Sequence, residues 1–160
     1  MSLHVNHGFT MPELLMTMII GSILAIGTYL AWPTITINLG AQADLLADEI
    51  RSAQAFSMSK GQRFRFVSTS TTQYQITDGS GNPITLYTGQ TTGTLTTNVT
   101  FGAFTNLPNN LIVFDTAGNP YSDTLTPGTA LSSAATIPVT AGGLTKNIVI
   151  SPGTGRVIVQ

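Results

Sequence analysis

At 160 residues and 16.8 kDa, the chain has room for one domain with a sizeable core and too little for two. Only 8% of residues are charged and the formal net charge is −1, so there is no basic excess to drive non-specific nucleic-acid binding and no acidic tail. Cysteine is absent and both histidines, His4 and His7, stand in the first seven residues. Disulfides, thiolate metal sites, cysteine nucleophiles and a histidine-based centre in the folded body are thereby excluded.

The first segment with a clear character is Phe9 to Pro33, FTMPELLMTMIIGSILAIGTYLAWP. Glu13 is its one charged residue, and Leu14 to Trp32 has none. Nineteen such residues span about 28 Å as a helix, close to the hydrocarbon thickness of a bilayer. A helix apolar on every side cannot be buried by a protein of this size. The eight preceding residues, MSLHVNHG, contain no lysine or arginine, and Tyr29-Leu-Ala-Trp-Pro33 is a poor cleavage site for a secretory signal. The pattern therefore predicts a retained membrane helix near the N-terminus. Pro12 falls in its first turn, where a missing N–H breaks nothing, whereas Pro33 is expected to kink it. Gly40 is expected to be a second weak point.

The junction between leader and helix carries a recognisable motif. Gly8-Phe9-Thr10-Met11-Pro12-Glu13-Leu14-Leu15 resembles the class III signal of type IV pilins and of type II secretion pseudopilins. A plain anchor has no reason to hold a carboxylate in its first apolar turn, where an ionised group is costly without a partner. The resemblance implies that a prepilin peptidase cuts between Gly8 and Phe9 and N-methylates Phe9. It also implies that Glu13 is the assembly carboxylate, meeting the methylated amino terminus of a neighbouring subunit. Two positions depart from the family pattern: the leader lacks the usual basic residue before the glycine, and Pro12 replaces an aliphatic residue.

Further on, Leu39, Ala43, Leu46, Ile50, Ala53 and Phe56 recur at helical spacing, with Asp44, Asp48 and Arg51 on another face. This predicts an amphipathic helix whose stripe meets the protein's own sheet, closed by Lys60 and Gly61. Asp48 and Arg51 at i,i+3 read as a surface pair worth a few tenths of a kcal/mol. From Gln62 the period becomes two, predicting strands over 63–67, 73–77, 84–87, 111–114, 147–150 and 157–159, with turns at 78–83, 115–120 and 151–155. Residues 88–100 read as either an edge strand or an exposed loop.

The segments 43–63, 112–120 and 148–157 resemble the GspH/FimT group of minor pseudopilins and minor pilins. The expected fold class is α+β: a long hydrophobic N-terminal helix, kinked near Pro33, packed on an antiparallel β head of two sheets. The expected organisation is a cleaved leader, 1–8, then a transmembrane and assembly half-helix, 9–38. An amphipathic half-helix with a periplasmic head completes it, 39–160. The resemblance implies a structural subunit of a type IV pilus or type II secretion pseudopilus, not an enzyme, with no cofactor and no metal. Its implied partners are the prepilin peptidase, other pilin or pseudopilin subunits, the inner-membrane assembly platform and, before assembly, inner-membrane lipid. The implied location is the bacterial inner membrane, single-pass with the head in the periplasm, and then a periplasmic or surface fibre.

Two further features receive a reading. Asp78-Gly-Ser-Gly-Asn82 has the alternating oxygens of a calcium loop but lacks its glycine and bidentate glutamate, and is read as a polar turn. The alternative function is a DNA-binding minor pilin for transformation, with Arg63, Arg65, Lys146 and Arg156 as the contacts. Gly155-Arg156 matches the start of a Gly-Arg-x-Arg motif of DNA-binding members, but Ile158 stands where the second arginine would be. So few cations release few counterions, and the favoured reading of these residues is solubilising charge at strand edges.

Overall fold

The computed structural model describes residues 10–30 and 34–160. The chain divides into two compact units, Met1–Thr34 and Ile35–Gln160. The first contains α1, Met11–Leu30. The kink expected at Pro33 falls outside the described residues.

The second unit is organised by α2, Thr34–Lys60. The helix runs unbroken through Gly40, contrary to expectation; open space around that glycine leaves its turn undisturbed. It ends where Gly61 adopts φ +63°, the left-handed step that glycine takes at no steric cost. Leu39, Ala43, Leu46, Ile50 and Ala53 are buried as the spacing requires. The last member of the stripe is Ser57 rather than Phe56. Ser57 is fully buried, donates to the Ala53 carbonyl at 3.0 Å and accepts the Phe64 N–H at 3.0 Å. A hydroxyl is needed there because the first strand's amide would otherwise be buried without a partner. Phe56 instead half-exposes its ring and tilts against Phe64.

Among the described residues, nine strands form two antiparallel sheets. The first has the order β3 (Gly93–Thr94), β2 (Gln73–Asp78), β1 (Phe64–Ser68), β5 (Leu111–Phe114), β6 (Pro120–Tyr121). The second has the order β4 (Thr100–Phe101), β7 (Ala135–Ala141), β8 (Leu144–Ile150), β9 (Val157–Val159). Alternation along β1 sends Phe64 and Phe66 inward and leaves Arg63, Arg65 and Val67 half-buried. The inner stripe of α2 and the inner faces of both sheets join in one apolar cluster. Its aromatic centre is Phe66 stacked on Tyr74 at 5.3 Å, with Phe101 edge-on to both. Gly93 lies so close to Tyr74 that an added Cβ would sit 2.2 Å from the ring.

Two strand expectations need correction. Residues 84–87 are not a strand: after the Thr77–Pro83 bridge the chain turns, with the Gly89 N–H on the Leu86 carbonyl. Conversely, β7 is a strand where none was predicted, and Pro138 stands inside its alternation. The proline is tolerated through register. It faces Asn147, which exchanges both backbone bonds with Gln160 and so turns away from β7. No N–H is required of Pro138 toward β8, and its carbonyl accepts from Gly102 on the other side.

Candidate functional site

The N-terminal site is built on α1. Thr10 accepts the Leu14 amide through its carbonyl at 3.1 Å, which places it at the helix start, and Pro12 follows in the first turn. Glu13 also lies in that turn, exposed, on the positive end of the helix dipole. Thr10-x-x-Glu13 has capping-box spacing, a second physical reason for a carboxylate there that the sequence analysis did not weigh. Among the described residues the Glu13 side chain makes no hydrogen bond or ion pair that would occupy it. Gly8 and Phe9 lie outside the described residues.

Every large apolar residue from Met11 to Leu24 exposes half or more of its surface. The two hydroxyls in this stretch are folded back: Thr17 donates to the Leu14 carbonyl at 2.9 Å and Ser22 to the Ile19 carbonyl at 2.8 Å. The surface therefore offers methyls and methylenes with the polar atoms internally satisfied, as an apolar environment demands. Among the residues described with their side chains, no helix is long and apolar enough to cross a membrane. The uncharged run of the sequence, Leu14 to Trp32, extends past them.

The four cations of the alternative DNA-binding reading are divided between the two sheets. Arg63 donates to the Leu125 carbonyl and lies 4.9 Å from the centre of the Tyr121 ring. Arg65 donates to the Thr77 hydroxyl at 2.6 Å. Arg65 is on β1 of the first sheet and Arg63 immediately precedes it, while Lys146 is on β8 and Arg156 in the β8–β9 turn of the second. Gly155, which suggested a Gly-Arg motif, has a packing role. At φ +64° it is buried so tightly that a Cβ would lie 2.5 Å from Gln54 Nε2 and 2.7 Å from the Gly118 carbonyl.

α2 holds these loops directly. Gln54 Nε2 donates to the carbonyls of Gly118 and Thr154, each at 2.9 Å. Arg51 pairs with Asp48 at 2.6 Å, as the spacing predicts, and also donates to the Val157 carbonyl at 2.9 Å. The second bond makes it a tie between helix and sheet, a role invisible at i,i+3.

The candidate calcium loop is a self-contained turn. Asp78 Oδ1 accepts the N–H groups of Ser80 and Asn82, and Oδ2 accepts from Asn82 Nδ2. The Asn82 amide chiefly holds this carboxyl below its ordinary value. The same hexapeptide pattern, Asp-x-x-Gly-Asn-Pro, recurs at 115–120 with the same three bonds from Ala117 and Asn119. No group of acidic or histidine side chains suited to a metal occurs among the described residues.

Comparison with known proteins agrees with this geometry. Residues 3–29 match the prokaryotic N-terminal methylation motif. In fold, the chain is similar to the type IV minor pilin FimU of Pseudomonas aeruginosa (strain PAO1) in two crystal forms. In space group P21 the TM-score is 0.55 at 15% identity, covering 80% of this chain and 92% of that one. In P65 it is 0.53 at 14%, covering 76% and 92%. The fold is a pilin fold. No curated protein matches the chain in sequence. A methylation motif on an exposed apolar helix, together with the pilin fold, belongs to structural rather than enzymatic proteins.

Proposed function

We propose that this chain is a minor-pilin or pseudopilin subunit of the GspH/FimT type, made as a precursor and built into a fibre through α1. Prepilin peptidase would cut between Gly8 and Phe9 and methylate Phe9. Before assembly, the uncharged run from Leu14 would rest in the inner membrane with the head in the periplasm. One observation carries the reading: the methylation motif stands on a helix whose large apolar side chains from Met11 to Leu24 are exposed and whose hydroxyls in that stretch, Thr17 and Ser22, bond back to the helix.

The chemistry of assembly follows from Glu13. An ionised carboxylate at the head of an apolar helix is costly to bring among other apolar helices unless a cation meets it. Cleavage creates a methylated ammonium at the start of the same segment in every subunit. Each arriving subunit then brings one cation and one carboxylate, so the charges balance along the fibre. Intact-mass measurement of fibre subunits tests the first step. The expected chain has 152 residues and begins with N-methyl-Phe9. A fibre subunit retaining Met1–Gly8, or cut near Trp32, refutes it.

A further inference from the structure

The tip of the β1–β2 hairpin in the first sheet meets the edge strand β4 of the second. Two consecutive amides at the end of β4 bond in opposite directions there. Phe101 N–H donates to the Thr71 carbonyl at 2.8 Å, and Gly102 N–H to the Pro138 carbonyl of β7 at 2.9 Å. Over this seam lies a cleft of ≈ 270 Å³, walled by the hairpin tip, the segment leaving β4 and Asn110. It falls just under the range of about 300–1,000 Å³ that drug-sized ligands occupy, a size for one small ring.

Serine, threonine, asparagine, glycine and phenylalanine supply all of its walls, and no charged side chain among the described residues lines it. The neutrality extends beyond the cleft: residues 79–114 and 124–145 contain no charged residue. Strand register carries it onto the outer face of the second sheet, where Thr100, Thr140 and Thr145 align and Pro138 stands opposite Asn147.

The polar groups of the cleft divide by engagement. The Ser68 hydroxyl donates to the Ser70 carbonyl at 2.8 Å and the Ser70 hydroxyl accepts the Thr72 N–H at 3.2 Å, so both close the hairpin tip. The Thr69 and Thr71 hydroxyls and the Asn110 side-chain amide make no hydrogen bond among the described residues. The backbone of Asn110 is already used, its N–H on the Leu107 carbonyl at 3.1 Å and its carbonyl on the Ser68 N–H at 3.0 Å. Beside these groups stands Phe104, half-buried and packed edge-on to Phe101 at 5.6 Å.

This combination selects a class of ligand. A charged molecule would lose its hydration against walls that offer no opposite charge. A wholly apolar one would cover two hydroxyls and an amide without bonding them. A ring with hydroxyls on its rim and C–H groups on its faces meets both conditions. Hydroxyl and amide groups donate and accept, as the rim requires, and the C–H face covers an aromatic ring.

We propose that the cleft binds one ring of a neutral saccharide, with Thr69, Thr71 and Asn110 bonding its hydroxyls and Phe104 against its C–H face. The uncharged outer face of the second sheet accommodates the rings that follow. The site lies wholly within the second unit, and it stands or falls independently of the assembly reading.

Nuclear magnetic resonance of the isotope-labelled full-length chain tests this, in dodecylphosphocholine micelles, whose headgroup carries no sugar. The probes are maltotriose and chitotriose, with trigalacturonate as the charged control. With at least one neutral probe, the amides of residues 69–71, 101–104 and 110 should shift saturably, and trigalacturonate should bind about tenfold more weakly or not at all. Thr69→Val with Thr71→Val keeps the shape and removes both hydroxyls, and should weaken binding about three- to tenfold with the remaining amide spectrum unchanged. Phe104→Leu should weaken it about threefold. Where Phe104→Leu disturbs the spectrum, the valine pair alone decides. Neither neutral probe moving these amides at tens of millimolar, shifts confined to other residues, or equal binding of trigalacturonate overturns the site. Unchanged affinity in the valine pair overturns it as well.

Discussion

α1 and α2 are consecutive helices of similar length that solve opposite solvation problems. Over Met11–Leu24 of α1 the large apolar side chains are exposed, and the Thr17 and Ser22 hydroxyls bond back to the helix's own carbonyls. In α2 the core stripe points inward while Leu45, Phe56 and Met58 stay exposed, and polar side chains reach out to loops and to β9: Gln42 to Thr96, Arg51 to Val157, Gln54 to Gly118 and Thr154. Burying polar atoms within the helix suits a helix that will meet only apolar neighbours. Spending them on long-range hydrogen bonds suits one that must fix a fold. If α1 serves association, as proposed, while α2 fixes the head, lesions in the two should separate cleanly.

The sharpest break comes at Glu13. Glu13→Gln keeps the shape but removes the charge that would meet a neighbour's ammonium, and should lower incorporation into fibres about tenfold or more. Thermal unfolding of the head should be unchanged. Wild-type levels of the variant in sheared fibres would remove the assembly role.

The converse lesion is Gly155→Ala. Its Cβ would meet Gln54 and the Gly118 carbonyl, in a backbone conformation that alanine resists. A loss of about 2–4 kcal/mol in unfolding free energy is expected, read by denaturant titration. Any effect on fibres should follow from the lost head.

Smaller effects are expected from pH. Asp78 and Asp123 are held low by hydrogen bonds, chiefly from Asn82 and Thr129. Asp115 is also low, its burial outweighed by bonds from Asn119, Ala117 and Tyr121. Their contribution is present above the unfolded value near 3.8 and is lost as pH falls below it. Glu49 has the opposite sign, because burial raises it: its charge penalises the fold at neutral pH and is relieved on acidification. Glu49→Gln should therefore raise the neutral Tm by a few degrees and flatten the profile on the acid side. Tyr74 is pushed up to about 12 by burial and by Glu49, so stability should fall as pH rises from about 10 to 12. An ultraviolet titration would show one tyrosine ionising late.

The smallest effect is expected from changing Arg63, Arg65 and Arg156 together to glutamine. Fibre incorporation should be unaltered, and an electrophoretic mobility assay should show little duplex-DNA shift to lose. A wild-type chain that binds DNA at micromolar concentration in physiological salt, and loses it in this variant, would reverse the ranking.

Where the sequence was legible, the deciding physics was local. A carboxylate at the start of an uncharged run, and Leu39, Leu46 and Ile50 at helical spacing, declare themselves within a few residues. Where it was not, distant partners decided. Ser57 is buried because the Phe64 amide needs it, and a stripe counted by hydrophobicity picks Phe56 instead. β7 is hidden by Pro138, whose tolerance depends on Asn147 turning toward Gln160. Gly155 read as half of a binding motif, although α2 and Gly118 dictate it. Tyr87 reads as the end of a strand, 84–87, and nothing local signals that it would line a groove beside α2.

The ties from Arg51, Gln54 and Ser57 acquire a mechanical meaning once the chain is a fibre subunit. They leave α2 at successive three-residue steps and reach β9, the loops at Gly118 and Thr154, and β1. Two helical turns thus grip both sheets at once. Tension entering along α2 would load these bonds in parallel, as shear, and not one after another. A head fastened in this way resists being unzipped from its helix, and rupture requires several bonds to fail together.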